Sequence, residues 1–278
     1  MTDPSKTLIA VLVDRSASMS TSKVATEKGF NQLMKDQAAV EGTAFVTLAT
    51  FDDVSQSGRW WGGGNGLRHG ANNILMPQFG HLETVPPVPE FVYKFQDITS
   101  VPKLRVDPRG NTPLYDAIGN FVTEVGKDLS KMREQDRPGS VIVAILTDGM
   151  ENTSKSWTQA QVKELITLQE NQYNWRFMFL GSNIDAVEVG SHIGFRREAS
   201  LTYDDDSAVA VANAFASTSN MMGNMRGMVG AAAASFAYDD ADRMASMTQD
   251  ASAGRKDGES LEDWKARLKA SKKVSSST

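Results

Sequence analysis

Short apolar runs alternate along the chain with longer segments in which apolar residues recur every three or four positions. The runs at residues 8–13 (LIAVLV) and 140–146 (SVIVAIL) are short and rich in β-branched residues. Each therefore predicts a strand that is buried on both faces, as in parallel sheets covered by helices. Further β-prone segments predict strands at 44–51, 90–98, 176–180 and 199–203. Apolar periodicity predicts helices at 21–40, 114–132, 156–173, 186–192 and 205–219.

This order of strands and helices predicts an α/β fold. We expect a doubly wound, mostly parallel sheet with helices on both faces, in which residues 90–98 form one antiparallel edge strand. The predicted domain covers residues 1–220. Residues 221–278 are rich first in Met, Gly and Ala and then in Ser and Lys, and we interpret them as a weakly packed tail. A helical docking segment is the alternative for this part of the chain.

An insertion at residues 55–89 separates the second and third predicted strands. It contains RWWGGGNG and later VPPVP, and it is long for a connection within a compact domain. Because disordered linkers contain few aromatic residues, Trp60 and Trp61 argue against simple disorder. Two interpretations stay open. One is a flap that packs its own tryptophans on the domain, and the other is a surface for a partner or for self-association, contacted by Arg59, Trp60 and Trp61.

Composition narrows the classes of function. The formal net charge of −5 does not indicate a basic surface for nucleic acid, and no apolar run approaches the ~20 residues of a membrane-spanning helix. No Cys is present, which excludes disulfides, thiolate zinc sites and cysteine nucleophiles. The N-terminus lacks an apolar segment of the signal-peptide type. We therefore expect a cytoplasmic protein that binds neither nucleic acid nor a membrane.

Polar residues follow both central strands at the point where each apolar run ends. Asp14, Ser16 and Ser18 come directly after the first run, and Asp148 comes after the second. Because open α/β sheets bind their ligands beyond the carboxyl ends of the strands, we expect both carboxylates to face one crevice. A carboxylate with two hydroxyls at alternating positions forms an oxygen-rich cup that suits a hard divalent cation.

Together with Thr112, these residues resemble the metal-ion-dependent adhesion site (MIDAS) of the von Willebrand factor A (vWA) domain family. That family combines an Asp-x-Ser-x-Ser loop, a distant Thr, and a distant Asp that is usually followed by Gly. DRSAS at 14–18, Thr112 and Asp148 stand here in the same order. The resemblance covers roughly residues 7–204. Its segments RGNTPLYDAI and LTDGMEN are most similar to stand-alone bacterial and phage members of the family.

The resemblance also implies roles for the five residues. The hydroxyls of Ser16, Ser18 and Thr112 ligate the cation directly, while Asp14 and Asp148 orient them through coordinated waters or take one direct position. With few charged ligands the cation stays electrophilic and keeps one position for an Asp or Glu of a partner. Mg²⁺ or Mn²⁺ fits this oxygen set better than Ca²⁺, although the sequence does not exclude Ca²⁺.

The leading hypothesis for function is a divalent-cation-dependent protein-binding module without catalysis. The alternative is a structural or assembly component, such as a virion part or an ATPase-associated adaptor, located in a host cytoplasm or a virion if a phage encodes the chain. In a self-assembling version, Glu259, Glu262 or Asp263 of one copy enters the metal site of the next. A metal-dependent phosphohydrolase with Asp14 as nucleophile is disfavoured, because Ser16 stands where such enzymes usually carry a second carboxylate.

Nucleotide and zinc sites are not indicated by the sequence. No G-x-G-x-x-G follows the first strand, and GGGNG at 62–66 lacks the strand–helix context that such a motif requires. His69, His81 and His192 are scattered along the chain without the spacing of metal ligands.

Overall fold

Strands and helices alternate in the part of the chain that the computed structural model describes, which comprises residues 2–53, 88–182, 184–226 and 236–247. The strands are β1 (Asp3–Asp14), β2 (Thr43–Phe51), β3 (Glu90–Asp97), β4 (Pro138–Thr147), β5 (Arg176–Ser182) and β6 (Ser200–Tyr203). The α-helices are α1 (Lys23–Ala38), α2 (Leu114–Lys131), α3 (Gln159–Tyr173), α4 (Ala186–His192), α5 (Ala208–Arg226) and α6 (Asp240–Ala245).

The strands form one sheet in the order β3-β2-β1-β4-β5-β6. All neighbouring pairs are parallel except β2 and β3, which are antiparallel at one edge. The predicted mostly parallel sheet with a single antiparallel edge strand is therefore confirmed, and it has a vWA-like α/β topology. The chain adds strands on one side of β1 and then on the other, so the ends of β1 and β4 meet where the strand order reverses. Ligand sites of open α/β sheets lie at this point.

Helices cover both faces of the sheet. Ile9, Val11 and Val13 of β1 face a layer that contains α1 and α5, whereas Leu8 and Leu12 face the layer that contains α2, α3 and α4. Because both faces of β1 are buried, its apolar run is continuous and does not alternate with polar residues. Among the helices of the described ranges, none has the length and apolar character needed to cross a membrane.

Some strands and helices begin at other residues than predicted, because strand pairing or helix capping sets their first residue. β1 begins earlier than predicted, at Asp3, because Asp3 pairs with the first residue of β4. α3 begins later than predicted, at Gln159. The side chain of Thr158 accepts a hydrogen bond from the Gln161 N–H and the Gln161 side chain accepts one from the Thr158 N–H, so this capping box sets the helix start.

α5 crosses the predicted boundary between the domain and the tail. The helix continues to Arg226, and Met221, Met222 and Met225 are buried in the layer that covers one face of the sheet. The Arg226 guanidinium donates a hydrogen bond to the Gln37 carbonyl oxygen at the end of α1. Composition alone does not indicate this part of the helix, because a segment rich in Met, Gly and Ala has no strong local pattern.

Residues 236–247 also pack on the domain. Tyr238 is buried, and its hydroxyl lies 2.9 Å from Thr218 Oγ1 in α5. The side-chain amide of Asn213 donates to the Ala245 carbonyl oxygen at 2.9 Å. This stretch is therefore held by buried hydrogen bonds from α5, unlike the weakly packed tail that the composition predicted.

Several predicted features lie outside the described residues. They are the insertion up to residue 87, with Arg59, Trp60, Trp61, His69 and His81, and the chain from residue 248 onwards, with Glu259, Glu262 and Asp263.

The contact between α1 and α5 leaves no room for a side chain at Gly29. A Cβ there would lie 2.2 Å from the nearest ring atom of Phe215. Because Gly29→Ala must displace this ring, we expect it to lower the free energy of unfolding by about 2 kcal/mol, measured by urea titration.

Gly223→Ala in α5 is the matched control for this substitution. A Cβ at Gly223 would meet Val40 Cγ2 at 3.5 Å, which is an ordinary contact. Since Ala favours a helix over Gly, we expect a gain of about 0.5–1 kcal/mol. Equal effects of the two substitutions would contradict the packing of α1 on α5.

Candidate metal centre

Asp14 is the last residue of β1, and its carboxylate is completely buried. Its Oδ1 accepts a hydrogen bond from the Ser16 N–H at 2.6 Å, and its Oδ2 accepts one from the Thr147 hydroxyl at 2.7 Å. Thr147 is level with Asp14 because Val13 pairs with Leu146 in the parallel sheet. Asp14 therefore ties the loop after β1 to the end of β4.

Hydroxyl groups from two loops lie beside Asp148 and Gly149, the two residues that follow β4. Ser16 Oγ lies 3.0 Å from Ser18 Oγ, and the Ser18 hydroxyl donates to Asp148 Oδ1 at 2.7 Å. A Cβ built on Gly149 would lie 3.0 Å from Thr112 Oγ1 and 3.7 Å from Ser18 Oγ, so both hydroxyls border the same small space. The structure thus brings together the five predicted site residues. We call them the oxygen cup: Asp14, Ser16, Ser18, Thr112 and Asp148.

Burial dominates the electrostatics of the two carboxylates in the oxygen cup. It raises the pKa of Asp14 to about 7, against the hydrogen bonds from Thr147 and Ser16, which lower it. Burial also raises the pKa of Asp148, and the negative charge of Asp205 raises it further. Each of these carboxylates is therefore costly to keep ionised, and a bound cation would offset that cost.

A hard divalent cation fits the oxygen cup by its donor atoms, which are hydroxyl and carboxylate oxygens. Asp148 Oδ2 is buried and makes no hydrogen bond within the described residues, so it has acceptor capacity left. Ser16 and Thr112 are buried whereas Ser18 is exposed, so the cup opens to solvent on one side. Across the described ranges no group of three or more His, Cys, Asp or Glu is placed to hold a metal ion. The fit depends on the hydroxyls.

A cluster of ion pairs holds the loops around the oxygen cup. Asp52, at the end of β2, accepts from Arg15 Nε at 2.6 Å and from Arg109 Nε at 2.8 Å. Arg15 Nη2 also binds Glu90 Oε2 at 2.7 Å, and the Arg109 N–H donates to the Arg15 carbonyl oxygen at 2.8 Å. The cluster thus joins the Asp-x-Ser-x-Ser loop to the segment that leads to Thr112. Sequence reasoning missed it because Arg15 occupies a variable position of the motif.

A second set of contacts supports Thr112 from the loop after β4. The Thr112 N–H donates to Asn152 Oδ1 at 2.9 Å, and the Asn152 N–H donates to the Thr112 carbonyl oxygen at 3.2 Å. Glu151 Oε2 accepts from the Tyr115 N–H at 2.9 Å in the first turn of α2. The only sequence signal for these contacts is the polar stretch directly after the aspartate of β4.

The described residues that flank the insertion, Asp53 and Glu90, lie beside this cluster of ion pairs. Asp53 and Asn111 exchange two backbone hydrogen bonds of 3.0 Å; Asp53 stands two residues before the insertion, and Asn111 directly precedes Thr112. Glu90, where β3 begins, belongs to the cluster itself. His192 lies exposed at the end of α4 and is not part of the oxygen cup.

Comparisons with known proteins give similarity of structure only, since no family model and no curated protein matches the chain. Proximal thread matrix protein 1 from the mussel byssus is 14% identical, with 80% of this chain and 48% of that chain covered and a TM-score of 0.47. The von Willebrand factor type A protein from Catenulispora acidiphila is 14% identical, and the match covers 79% of this chain and 42% of that chain with a TM-score of 0.44. The manganese-loaded Plasmodium vivax TRAP protein is 16% identical, and the match covers 76% of this chain and 74% of that chain with a TM-score of 0.43.

The chain spans less than half the length of the first two of these proteins. At these identities, and with TM-scores below 0.5, these similarities carry no argument about the function of this chain. The strand order and the antiparallel edge strand confirm the vWA resemblance at the level of the fold. The class that fold and site define is a vWA-like α/β domain with an oxygen cup at the carboxyl ends of its central strands.

Asp52→Asn removes the charge that two guanidinium groups share. The Asp52 side chain is 2% exposed, so its loss leaves Arg15 and Arg109 without a buried counter-charge. We expect the free energy of unfolding to fall by about 3 kcal/mol in a urea titration at pH 7. As a control, Asp136→Asn breaks an exposed pair with Arg133 and should change it by less than about 0.5 kcal/mol. Similar losses in both variants would show that the cluster does not hold the loops.

Proposed function

We propose that this chain is a divalent-cation-dependent protein-binding module. Its oxygen cup holds a cation and, through the cation, an Asp or Glu side chain of a protein partner. The observation that carries the proposal is the convergence of three hydroxyls and two carboxylates from three separate stretches of chain. Turn formation explains each residue singly, but it does not explain why all five meet at one point.

Ser16, Ser18 and Thr112 are the residues that would hold the cation, with Asp14 and Asp148 orienting them. Mg²⁺ or Mn²⁺ is the proposed ion, because a compact set of hydroxyl and carboxylate oxygens suits a small hard cation better than Ca²⁺. The ion supplies a positively charged centre that binds a carboxylate. Since the three hydroxyls are neutral, they leave most of that charge for the partner to compensate.

The opening of the oxygen cup suits a protein partner. Ser18 is exposed, whereas Ser16 and Thr112 lie beneath it at 2% and 3% exposure. A projecting side chain of another protein can therefore reach the site from one side. Met150, two residues after Asp148, is 66% exposed and offers an adaptable apolar contact beside the opening.

Binding without catalysis is the proposed mode of action. Both carboxylate oxygens of Asp14 accept hydrogen bonds, from the Ser16 N–H and the Thr147 hydroxyl, and the side chain is completely buried. A carboxylate nucleophile must be accessible to its substrate. The arrangement of Asp14 supports an organising role and speaks against a phosphohydrolase.

The proposal extends to the setting and to the surroundings of the site. We propose a cytoplasmic protein, or a virion component if a phage encodes the chain, since a chain without Cys needs no oxidising compartment. Arg59, Trp60 and Trp61 belong to an insertion flanked by Asp53 and Glu90, which contact the segments around the oxygen cup, and we propose them as additional partner contacts. A second copy of this chain in an assembly is the alternative partner.

Thr112→Ala removes one proposed ligand while keeping the backbone contacts with Asn152. We expect Mn²⁺ to bind the chelator-treated, dialysed wild-type chain, and the variant to bind at least about tenfold more weakly, measured by isothermal titration calorimetry. Thr167→Ala, at an exposed position of α3, is the matched control and should leave Mn²⁺ binding unchanged. If the wild-type chain binds neither Mn²⁺ nor Mg²⁺, the proposal is wrong.

Partner binding is tested by capture on the immobilised chain. A protein retained in Mg²⁺ should be released by EDTA and should not be retained by the Thr112→Ala variant. Replacing acidic residues of the captured protein by their amides should identify one carboxylate on which retention depends. A partner that stays bound in EDTA and also binds Thr112→Ala would contradict a metal-dependent module.

A further inference from the structure

Three polar side chains form a row across neighbouring strands, at the sheet edge that carries the oxygen cup. Ser182 of β5 is paired with Tyr203 of β6. Asp148 follows β4 two residues after Leu146, which is paired with Leu180 of β5. Because alternate residues of a strand share a face, the three side chains continue the buried face that includes Leu146 and Leu180. We call Asp148, Ser182 and Tyr203 the polar row.

Each member of the polar row has a buried oxygen atom without a hydrogen bond within the described residues. These atoms are Asp148 Oδ2, Ser182 Oγ and the Tyr203 hydroxyl oxygen. The three residues are 4%, 0% and 1% exposed. A buried polar group without a partner loses its hydration and gains nothing in return. Three of them at adjacent positions point to one shared polar ligand.

The electrostatics of Tyr203 connect the polar row to the oxygen cup. Burial raises the pKa of the Tyr203 phenol, the hydrogen-bonding capacity of the nearby Ser182 hydroxyl lowers it, and the negative charges of Asp148, Asp205 and Asp14 raise it further. The phenol therefore stays protonated and keeps its proton as a hydrogen-bond donor. The charges of three carboxylates act on this donor, and among them Asp148 has an acceptor oxygen without a hydrogen bond within the described residues.

We propose that Ser182 and Tyr203 are positioning residues for Asp148. Their hydroxyls bind a water molecule that donates to Asp148 Oδ2, which fixes the carboxylate so that its Oδ1 accepts from Ser18. Two hydroxyls and one carboxylate oxygen supply the two to four polar partners that a buried water needs. The inference rests on the proposed function only for its effect on metal binding, because the orientation of Asp148 is a property of the metal-free chain.

A double-mutant cycle in EDTA tests the metal-free part of the inference. The full chain is compared with Tyr203→Phe, Asp148→Asn and the double variant in urea titrations. We expect Tyr203→Phe to destabilise the wild type and to have little effect on Asp148→Asn, a difference of about fivefold in the unfolding equilibrium constant. Tyr93→Phe is the matched control, because its hydroxyl oxygen is also buried without a partner but lies on β3. It should be neutral or stabilising and additive with Asp148→Asn.

Mn²⁺ calorimetry tests the consequence for the oxygen cup. Tyr203→Phe and Ser182→Ala should each weaken Mn²⁺ binding about tenfold, since partners that orient a ligand typically contribute this much. Ser217→Ala, which removes a buried hydroxyl without a partner from α5, should leave Mn²⁺ binding unchanged.

The outcomes separate this inference from the proposed function. Additive effects of Tyr203→Phe and Asp148→Asn in EDTA would overturn the inference, whatever the wild-type chain binds. A non-additive cycle supports it, and together with weakened Mn²⁺ binding it assigns both residues to the cup. A non-additive cycle in a chain that does not bind Mn²⁺ or Mg²⁺ would leave the orientation of Asp148 supported and would refute the proposed function.

Discussion

The burial of the Asp14 carboxylate is the constraint on which the site depends. A carboxylate removed from water at the end of a central strand must be compensated by hydrogen bonds or by a cation. Here the Ser16 N–H and the Thr147 hydroxyl each bind one of its oxygens. These two bonds fix the turn after β1 against the end of β4, and the hydroxyls of the oxygen cup are placed relative to that turn. Asp14 thereby joins the loop after β1 to the end of β4.

The oxygen cup lies across the end of the sheet and is not confined to one face. Asp14 continues the face of β1 that includes Leu12 and packs on α2, whereas Asp148 continues the face of β4 that includes Leu146 and packs on α5. In a sheet covered on both sides, only the strand ends remain accessible to a ligand. Ser18 is exposed and donates a hydrogen bond to Asp148, so this side of the site is open to solvent. Polar groups from both layers can therefore act on one bound ion.

Two sets of contacts, one centred on Asp52 and one on Asn152, hold the loops of the oxygen cup from outside it. Asp52 is held between two guanidinium groups, and Asn152 exchanges hydrogen bonds with the backbone of Thr112, yet neither side chain belongs to the cup. Buried ion pairs contribute little to stability when they replace well-packed apolar groups, but they define geometry because each partner tolerates few arrangements. Asp53 and Glu90, the described residues that flank the insertion, contact the same segments.

The sequence by itself determined the central strands and the polar residues that follow them, because continuous apolar runs that end in Asp14 and Asp148 specify buried parallel strands with polar ends. Thr112 was added to this set only by the vWA resemblance. The sequence did not determine the ion pairs and hydrogen bonds that hold the loops of the oxygen cup. Arg15 and Asp52 stand 37 positions apart and meet only because β1 and β2 are neighbours in the sheet. The end of α5 at Arg226 was likewise decided by packing, since a segment rich in Gly, Ala and Met has no strong local pattern and becomes helical where its methionines are buried. Contacts between distant segments carry no local signature, and so they belong to the tertiary structure.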